Sequence, residues 1–355
     1  MSAACTKLPE RNLDVLRAVA VLCVVADHVA IAASPPGNLA WAWVGRAGVL
    51  IFFVHTALVL MGSLERSGGV RSGWIATFYI RRAWRIYPLA VATILLVTVV
   101  GMSEHTPHIG YPSLFRPPDD ATLLSNLLLV QNLTAHRDVL GVLWTLPIEM
   151  QMYLALPLCF IVARRSVHGV LLLILAGTAG ALAWRAQIPV PGLWRLTMLA
   201  FVPCFMGGVL AYALIRRRPT PRLSAKFTLV AVGLLMAAFF LVRARYESFA
   251  AQWAFCLALG VIIANSREMA SSVLARAGHV IAKYSYGIYL LHLPALWIAL
   301  VACAGAPHLL QWLIFVVVLV ALPWTAFHLI ERPGIALARR LVLQRMPQQT
   351  PVGAP

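Results

Sequence analysis

Charged side chains are scarce in this sequence of 355 residues, of which Asp, Glu, Lys and Arg together make up only 12%. Soluble domains carry about 25% of these residues, because a polar surface must cover their apolar core. The shortage excludes an ordinary soluble protein, and the hydrophobic share of 61% indicates that lipid surrounds the chain. We therefore expect an all-α, polytopic membrane protein.

Acidic residues are especially few: 12 Asp and Glu stand against 29 Lys and Arg, which gives a formal net charge of +17. A strongly basic chain is one mark of nucleic-acid-binding proteins. Here, however, the basic residues sit in short clusters between apolar runs, which is the pattern of cytoplasmic loops in membrane proteins. The distribution argues against a nucleic-acid partner and favours membrane lipid.

Cysteine is also infrequent, and none of the six cysteines has a neighbour at metal-ligand spacing. All except Cys5 lie in apolar runs, which favours buried thiols over a disulfide framework or a zinc site. We expect no bound metal.

Long apolar runs are what the sequence has in abundance. A hydrocarbon core of about 30 Å requires about twenty apolar residues per helix, and ten segments qualify. They are residues 13–33, 44–62, 86–103, 142–163, 168–186, 197–215, 227–242, 249–264, 284–303 and 309–330. The sequence thus predicts about ten transmembrane helices.

The basic residues orient these spans. With both termini in the cytoplasm, 22 of the 29 Lys and Arg residues lie inside and seven outside. We expect a multi-pass protein of the cytoplasmic (inner) membrane, with one integral membrane domain over residues 1–345 and a disordered tail over 346–355. The first apolar segment is longer than the core of a signal peptide, although cleavage near Ala33 is the alternative.

Ionisable residues within a span cost about 2.5–3.5 kcal/mol each, which makes them candidates for function. The first span contains Asp14, Arg17, Asp27 and His28. Arg17 and His28 are eleven positions apart, so both project from one face of a helix, roughly 16 Å from each other. Two interpretations stay open: an Asp14–Arg17 ion pair with a packing histidine, or a general base at His28.

A second cluster contains Arg81, Arg82 and Arg85. Arg82 and Arg85 share a helical face and could grip the phosphates of a coenzyme. The alternative is an ordinary basic anchor at the inner surface of the membrane.

A third cluster combines Glu149 and Tyr153, which are four positions apart and could form a hydrogen bond. A carboxylate within a span requires a cationic or histidine partner. Of the remaining candidates, His55 and His292 are interpreted as packing or pathway residues, and Glu331 as a residue that caps the last span at the inner surface.

Taken in order, these segments resemble the membrane-bound acyltransferase 3 family. The segments that carry the resemblance are NLDVLRAVAVLCVVADH, IFFVHTALVL, FYIRRAWRIYP, LWTLPIEMQMYLALPL, YSYGIYLLHLP and IERP. The chain departs from the family pattern at Thr56 and Ala57, where Ser and Gly are usual, and at Met150, where a second Glu is usual. The match extends from Leu13 to Pro333.

The resemblance implies transfer of an acyl group, usually acetyl, from cytoplasmic acyl-CoA to a hydroxyl of a surface glycan. His28 would act as general base or transient acyl carrier, together with Glu149. The coenzyme would be bound by Arg17, Arg82 and Arg85, and the substrate by Asp27 and Tyr153.

Three alternatives stay open at this point. The acceptor could be a small lipophilic natural product such as a macrolide. In other classes, a secondary transporter of an organic solute would also have many spans and buried polar residues. A membrane anchor would explain the hydrophobicity, but not Glu149 or His28.

Overall fold

The computed structural model describes residues 8–35, 42–67, 73–103, 105–110, 114–187, 191–217, 223–245 and 248–345. Within these ranges the chain is helical, and its β-type pairing is limited to an isolated bridge between Leu223 and Ser266. The all-α prediction is confirmed. Cys5 and the predicted tail lie outside the described residues, and the domain boundary stays a prediction.

The helices coincide with the predicted apolar segments. The α-helices are α1 Glu10–Ala32, α2 Ala42–Arg66, α3 Trp74–Val100, α4 Asp120–Leu127, α5 Gln131–Thr134, α6 Thr145–Arg165, α7 Val167–Arg185, α8 Val202–Arg217, α9 Ala225–Arg245, α10 Phe249–Ala264, α11 Val273–Trp297, α12 His308–Ala326 and α13 Arg332–Arg345. Short 3-10 helices cover Gly141–Trp144, Leu193–Arg195 and Thr197–Phe201, and π-helical turns cover Ile298–Ala302 and Phe327–Glu331.

In the described part of the chain, nine helices are long and apolar enough to cross a membrane. The tenth apolar helix, α10, has only 16 residues. At about 1.5 Å per residue it is shorter than the hydrocarbon core of about 30 Å. The prediction of a polytopic membrane protein with about ten apolar helices is confirmed.

Three helices extend beyond the segments that hydropathy marks. α3 begins at Trp74 rather than at residue 86, so the arginine cluster lies inside this helix. α11 begins at Val273 rather than at residue 284. α12 continues through a π-helical turn into α13, because Ala338 and Val342 bury one face of that polar extension while its other side stays exposed.

The centre of the bundle consists of α1, α2, α8 and α11, with α1 packed between α2 and α11. Glycines allow α8 to approach its neighbours closely. A Cβ on Gly208 would overlap the carbonyl oxygen of Val54 in α2, and one on Gly207 would overlap that of Cys256 in α10. Such small residues are typical of helix contacts within membranes, where close backbone approach replaces the hydrophobic effect.

The outer helices α7, α9 and α12 expose apolar side chains along their length. They include Leu172, Leu175, Leu234, Leu241, Val317 and Val320. An apolar surface of this extent requires a lipid environment rather than water. The protein is therefore a multi-pass membrane protein whose polar interior lies at its centre.

Contacts between helix ends define the two ends of the bundle. At one end, Arg216 forms an ion pair with Glu65, and Arg217 donates to the carbonyl oxygen of Arg165 at 2.7 Å. These contacts bring the basic ends of α2, α6 and α8 together. Their placement on the cytoplasmic side of the membrane stays a prediction.

At the other end, the connection between α3 and α6, which none of the predicted apolar segments covers, contains the short helices α4 and α5. Asp119 caps α4, and its Oδ1 accepts a hydrogen bond from the Thr122 backbone N–H at 2.8 Å. The hydrogen bonds from Thr122 hold the pKa of Asp119 below its ordinary value. The Asn126 side chain then links Arg137 and Val139 to α4, so hydrogen bonds hold the segment from α4 to Val139 together.

Two sequence interpretations need correction. Asp14 pairs with His279, with 2.8 Å between Oδ2 and Nδ1, while Arg17 Nε donates to Ser285 Oγ at 2.6 Å, so the Asp14–Arg17 ion pair is not formed. Glu331 does not cap a span at the inner surface, because it is 1% exposed and forms an ion pair with Arg85.

Candidate functional site

The centre of the bundle contains two cavities with different chemistry. The first, which we name the arginine cavity, has a volume of about 100 Å³. Its polar lining consists of Arg17, His55, Thr56, Arg82, Arg85, Thr145, Glu149, Tyr153, Ser285, Tyr286 and Tyr289. These residues come from α1, α2, α3, α6 and α11, so five helices must pack correctly to form it.

The three arginines of this cavity are held in different ways. Arg17 donates to Ser285 Oγ. Arg85 forms an ion pair with Glu331, and its guanidinium lies 5.3 Å from the ring centroid of Tyr286. Arg82 has a buried Nε with no hydrogen-bond partner among the described residues. Arg82 is thus the arginine with the most unused donor capacity in the cavity.

Glu149 lies in the arginine cavity and accepts a hydrogen bond from Tyr153 OH. The contact predicted from their spacing is therefore formed. With Glu331, the cavity region has two carboxyl groups for three guanidinium groups, so positive charge is in excess. Such a site favours an anionic ligand.

The second cavity, which we name the histidine cavity, has a volume of about 580 Å³. Its polar lining includes Asp27, His28, Arg46, Gln131, Asn132, His136, Asp138 and Thr197, and its aromatic lining includes Trp43, Trp144, Trp184, Phe201 and Phe249. Residues between 131 and 142, which precede α6, supply part of this lining.

Two backbone carbonyl oxygens fix the tautomers of His28 and His292, which contact each other. His28 Nδ1 lies 2.8 Å from the carbonyl oxygen of Val24, and His292 Nδ1 lies 3.1 Å from that of Ile288. A carbonyl oxygen only accepts, so both Nδ1 atoms bear hydrogen. His292 Nε2, 3.3 Å from His28 Nδ1, is therefore an acceptor. This leaves Nε2 of His28 with a lone pair that can accept a proton.

Asp27 lies beside His28, with 3.7 Å between its Oδ2 and His28 Nδ1. It is 6% exposed, and its Oδ1 has no hydrogen-bond partner among the described residues. A Cβ on Gly45 would overlap the Asp27 carboxyl group, so the glycine in α2 makes room for it. An acceptor atom without a partner in a cavity wall is suited to bind a hydroxyl or N–H group of a ligand.

The predicted site residues are divided between the two cavities. Asp27 and His28 line the histidine cavity, whereas Glu149 and Tyr153 line the arginine cavity. The sequence predicted His28 and Glu149 as catalytic residues and Asp27 and Tyr153 as substrate-binding residues. Neither pair shares a cavity. The predicted coenzyme residues Arg17, Arg82 and Arg85, in contrast, are brought together in the arginine cavity.

The two cavities meet at Val49 and Tyr289, which line both of them. Tyr289 OH donates to the carbonyl oxygen of Val142 at 2.9 Å and lies 2.8 Å from Thr145 Oγ1. We name these two side chains, Val49 and Tyr289, the shared wall.

Sequence reasoning did not identify Tyr289 or Ser285, and it interpreted His292 as a packing or pathway residue. A signal was present in YSYGIYLLHLP, since Ser285, Tyr289 and His292 have the spacing i, i+4 and i+7 and therefore share one helical face. Arg46, which charge counting assigns to the outer side, has its guanidinium 5.0 Å from the ring centroid of Trp144.

The bundle and its adjoining cavities define a polytopic membrane protein with a central polar site. A family model described as an acyltransferase domain matches residues 10–328, so the chain belongs to the acyltransferase 3 family. The resemblance inferred from the sequence motifs is confirmed, and the protein is an acyltransferase. Among the described residues, no group of three or more His, Cys, Asp or Glu side chains could hold a metal ion.

Two curated proteins are similar over much of the chain. Nodulation protein 10 of Rhizobium leguminosarum bv. viciae is 25% identical over 362 residues, which cover 94% of this chain and 96% of the relative. Peptidoglycan O-acetyltransferase OatA of Listeria monocytogenes serovar 1/2a is 27% identical over 319 residues, which cover 80% of this chain and 49% of the relative. The chain thus spans about half the length of the second protein. No solved structure matches it significantly.

Proposed function

We propose that this protein is an O-acyltransferase that moves an acyl group, typically acetyl, from cytoplasmic acyl-CoA to a hydroxyl group of an extracytoplasmic carbohydrate. The observation that carries the proposal is the contact between a cation-rich cavity and a cavity containing a histidine with an available lone pair. The first suits an anionic donor, and the second suits proton removal from an acceptor.

The donor is proposed to bind at the arginine cavity. Coenzyme A is a polyanion, and guanidinium groups bind phosphate through paired, charge-assisted hydrogen bonds. Arg82 and Arg17 are the principal candidates, since Arg85 is already engaged by Glu331. Tyr153 and Glu149 are assigned to this donor side rather than to the acceptor, because both line the arginine cavity.

The chemical step is proposed to occur on the histidine side. Nε2 of His28 removes the proton of the acceptor hydroxyl, and the hydroxyl oxygen bonds to the thioester carbonyl carbon. The carbon–sulfur bond then breaks, and the departing thiolate of coenzyme A takes up the proton from His28. A general base of this kind typically contributes 10²–10⁴-fold to the rate.

The acceptor is proposed to be a carbohydrate, bound in the histidine cavity. Sugars present C–H faces that pack on aromatic rings and hydroxyl groups that need polar partners, and the lining combines Trp43, Trp144 and Trp184 with Asp27 and Asp138. The volume of about 580 Å³ leaves room for a sugar unit. The name of the Listeria relative, a peptidoglycan O-acetyltransferase, supports this acceptor class.

The test is acyl transfer by the purified protein in nanodiscs, supplied with acetyl-CoA and separate carbohydrate and macrolide acceptors. Release of coenzyme A thiol and formation of an acetyl ester are measured together, the second by mass spectrometry. We expect carbohydrate-dependent thiol release and an ester on the sugar. Ester formation on the macrolide alone would move the acceptor to a lipophilic natural product. Transport of a solute without any ester would overturn the proposal.

A further inference from the structure

The shared wall has a consequence for which acyl groups the protein can transfer. Of the described residues, only Val49 and Tyr289 line both cavities. If the donor phosphates bind at the arginine cavity and the proton is removed at His28, the acyl group has to reach across this wall. The dimensions of the shared wall then determine which acyl groups can react.

Tyr289 is held in place on several sides. Its hydroxyl contacts Val142 O and Thr145 Oγ1, at the junction of a 3-10 helix with α6. Its ring meets Phe52 edge-on, with the centroids 5.9 Å apart, and lies 6.3 Å from the His292 ring. A swing of the phenol would break two buried hydrogen bonds, so this side of the wall has a fixed position.

Val49 is the other residue of the shared wall. It is 6% exposed and lies in α2, four positions after Gly45 and three before Phe52. A β-branched side chain in a helix has essentially one χ1 rotamer, so Val49 keeps one position in the shared wall. Both residues of the wall are therefore rigid.

We infer that Val49 and Tyr289 select the donor by the width of its acyl group, admitting linear acyl groups such as acetyl and excluding those branched next to the carbonyl. The inference rests on the proposed function and adds to it the class of donor. The reaction is unchanged: the acceptor oxygen replaces sulfur at the acyl carbon, and the thiol of coenzyme A leaves with the acceptor's proton. Width is selected rather than length, because a longer linear chain can extend into the larger histidine cavity.

The test compares isobutyryl-CoA with acetyl-CoA in wild type, in Val49→Ala and in Val59→Ala, and includes butyryl-CoA, the linear isomer of isobutyryl-CoA, which should be used like acetyl-CoA if width and not length is selected. Val59 lies in the same helix and lines only the arginine cavity, so the control makes the same substitution away from the shared wall. The measured quantity is the ratio of kcat/KM for isobutyryl-CoA to that for acetyl-CoA. One methylene group in an apolar pocket is worth about 10–200-fold in such a ratio.

We expect wild type to prefer acetyl-CoA and Val49→Ala to raise the ratio about tenfold or more. Val59→Ala should leave the ratio at the wild-type value, whatever it does to the rate itself. As a second variant, Tyr289→Phe keeps the ring but frees it from Val142 and Thr145, and should also raise the ratio. Equal use of both donors by wild type, or an equal rise in the two valine variants, would overturn the inference. Absence of transfer from any acyl-CoA by wild type would instead remove the proposed function, and the inference with it.

Discussion

His292 Nε2 lies 3.3 Å from His28 Nδ1, although 264 positions separate the two residues in the sequence. The ring centroids are 4.8 Å apart and the ring planes meet at 65°. His292 is fully buried, and its own Nδ1 is used by the carbonyl oxygen of Ile288. The second histidine is therefore a further acceptor for the Nδ1–H that the Val24 carbonyl oxygen already binds at 2.8 Å, and Nε2 of His28 is the basic atom.

Replacing His28 with alanine should reduce acyl transfer by about 10²–10⁴-fold, because the general base is lost. The protein should still insert and purify normally, since His28 lines a cavity and does not fill the core. The measurement is ester formation from acetyl-CoA. His279→Ala is the matched control, because His279 pairs with Asp14 outside both cavities. Transfer above about a tenth of the wild-type rate would reject His28 as the base.

His292→Ala should lower kcat about tenfold, less than His28→Ala, while leaving acyl-CoA affinity unchanged, because it removes the ring that contacts His28 Nδ1 but not the Val24 carbonyl oxygen that also accepts from Nδ1–H. His292→Gln should recover part of the loss, since its side-chain oxygen can accept the same hydrogen bond. The two parameters are measured by steady-state kinetics and by calorimetry. A purely structural role would lower the yield of folded protein in both variants, without rescue of kcat by glutamine.

Local features of this fold could be predicted from the sequence, whereas long-range pairs could not. The Glu149–Tyr153 hydrogen bond follows from two residues four apart in one helix, so spacing alone was sufficient. The pairing of Arg85 with Glu331 joins residues 246 positions apart, and only the packing of α3 against the π-helical turn after α12 creates it. The separation of His28 from Glu149 likewise depends on how five helices meet.

The predicted helix limits are wrong where a helix extends into residues of low hydropathy. Arg81, Arg82 and Arg85 lower the local hydropathy and so moved the predicted start of the third span to residue 86. The helix nevertheless begins at Trp74, because arginine is a good helix former and its long stem can follow an apolar surface.

Acid should loosen the outer connection at α4. Hydrogen bonds from Thr122 hold the pKa of Asp119 below its ordinary value. The cap therefore stabilises the protein fully above the unfolded-state pKa of about 3.9. This stabilisation is lost as the pH falls through the lower pKa of the folded state. Amide exchange in α4, measured on both sides of this window, should show faster opening in acid. Asp119→Asn caps without titrating and should remove the pH dependence. Equal pH dependence in both proteins would contradict this role.

The orientation of the bundle is testable by cysteine labelling from either side of the membrane. Placement of both termini inside predicts that a cysteine at Arg217 reacts only with permeant reagents and one at Asp119 also with impermeant ones. Each position lies at a helix end, so substitution removes one terminal hydrogen bond and leaves the packing between the membrane-spanning helices in place. Equal reactivity of both positions toward the impermeant reagent would contradict the predicted topology.

Variants of the arginine cavity can distinguish an arginine that binds the donor from an arginine that stabilises the fold. Arg82→Ala should weaken acyl-CoA binding about tenfold or more, because a charge-assisted hydrogen bond contributes roughly 1.5–3 kcal/mol, while stability changes little. Arg82→Lys should recover only part of the affinity, since an ammonium lacks the two-pronged geometry of a guanidinium.

Arg85→Ala should behave differently, because it leaves the buried Glu331 without its partner. Removing one member of a buried ion pair typically costs 3–5 kcal/mol, so thermal stability should fall together with affinity. Adding Glu331→Gln removes the orphaned charge and should restore stability without restoring acyl-CoA affinity to the wild-type value. Calorimetry of each variant at two salt concentrations and its melting temperature give both quantities. Two results would contradict the proposed donor site: wild-type acyl-CoA affinity in Arg82→Ala, and wild-type affinity in the double variant Arg85→Ala, Glu331→Gln. These arginines would then stabilise the fold and not bind the donor.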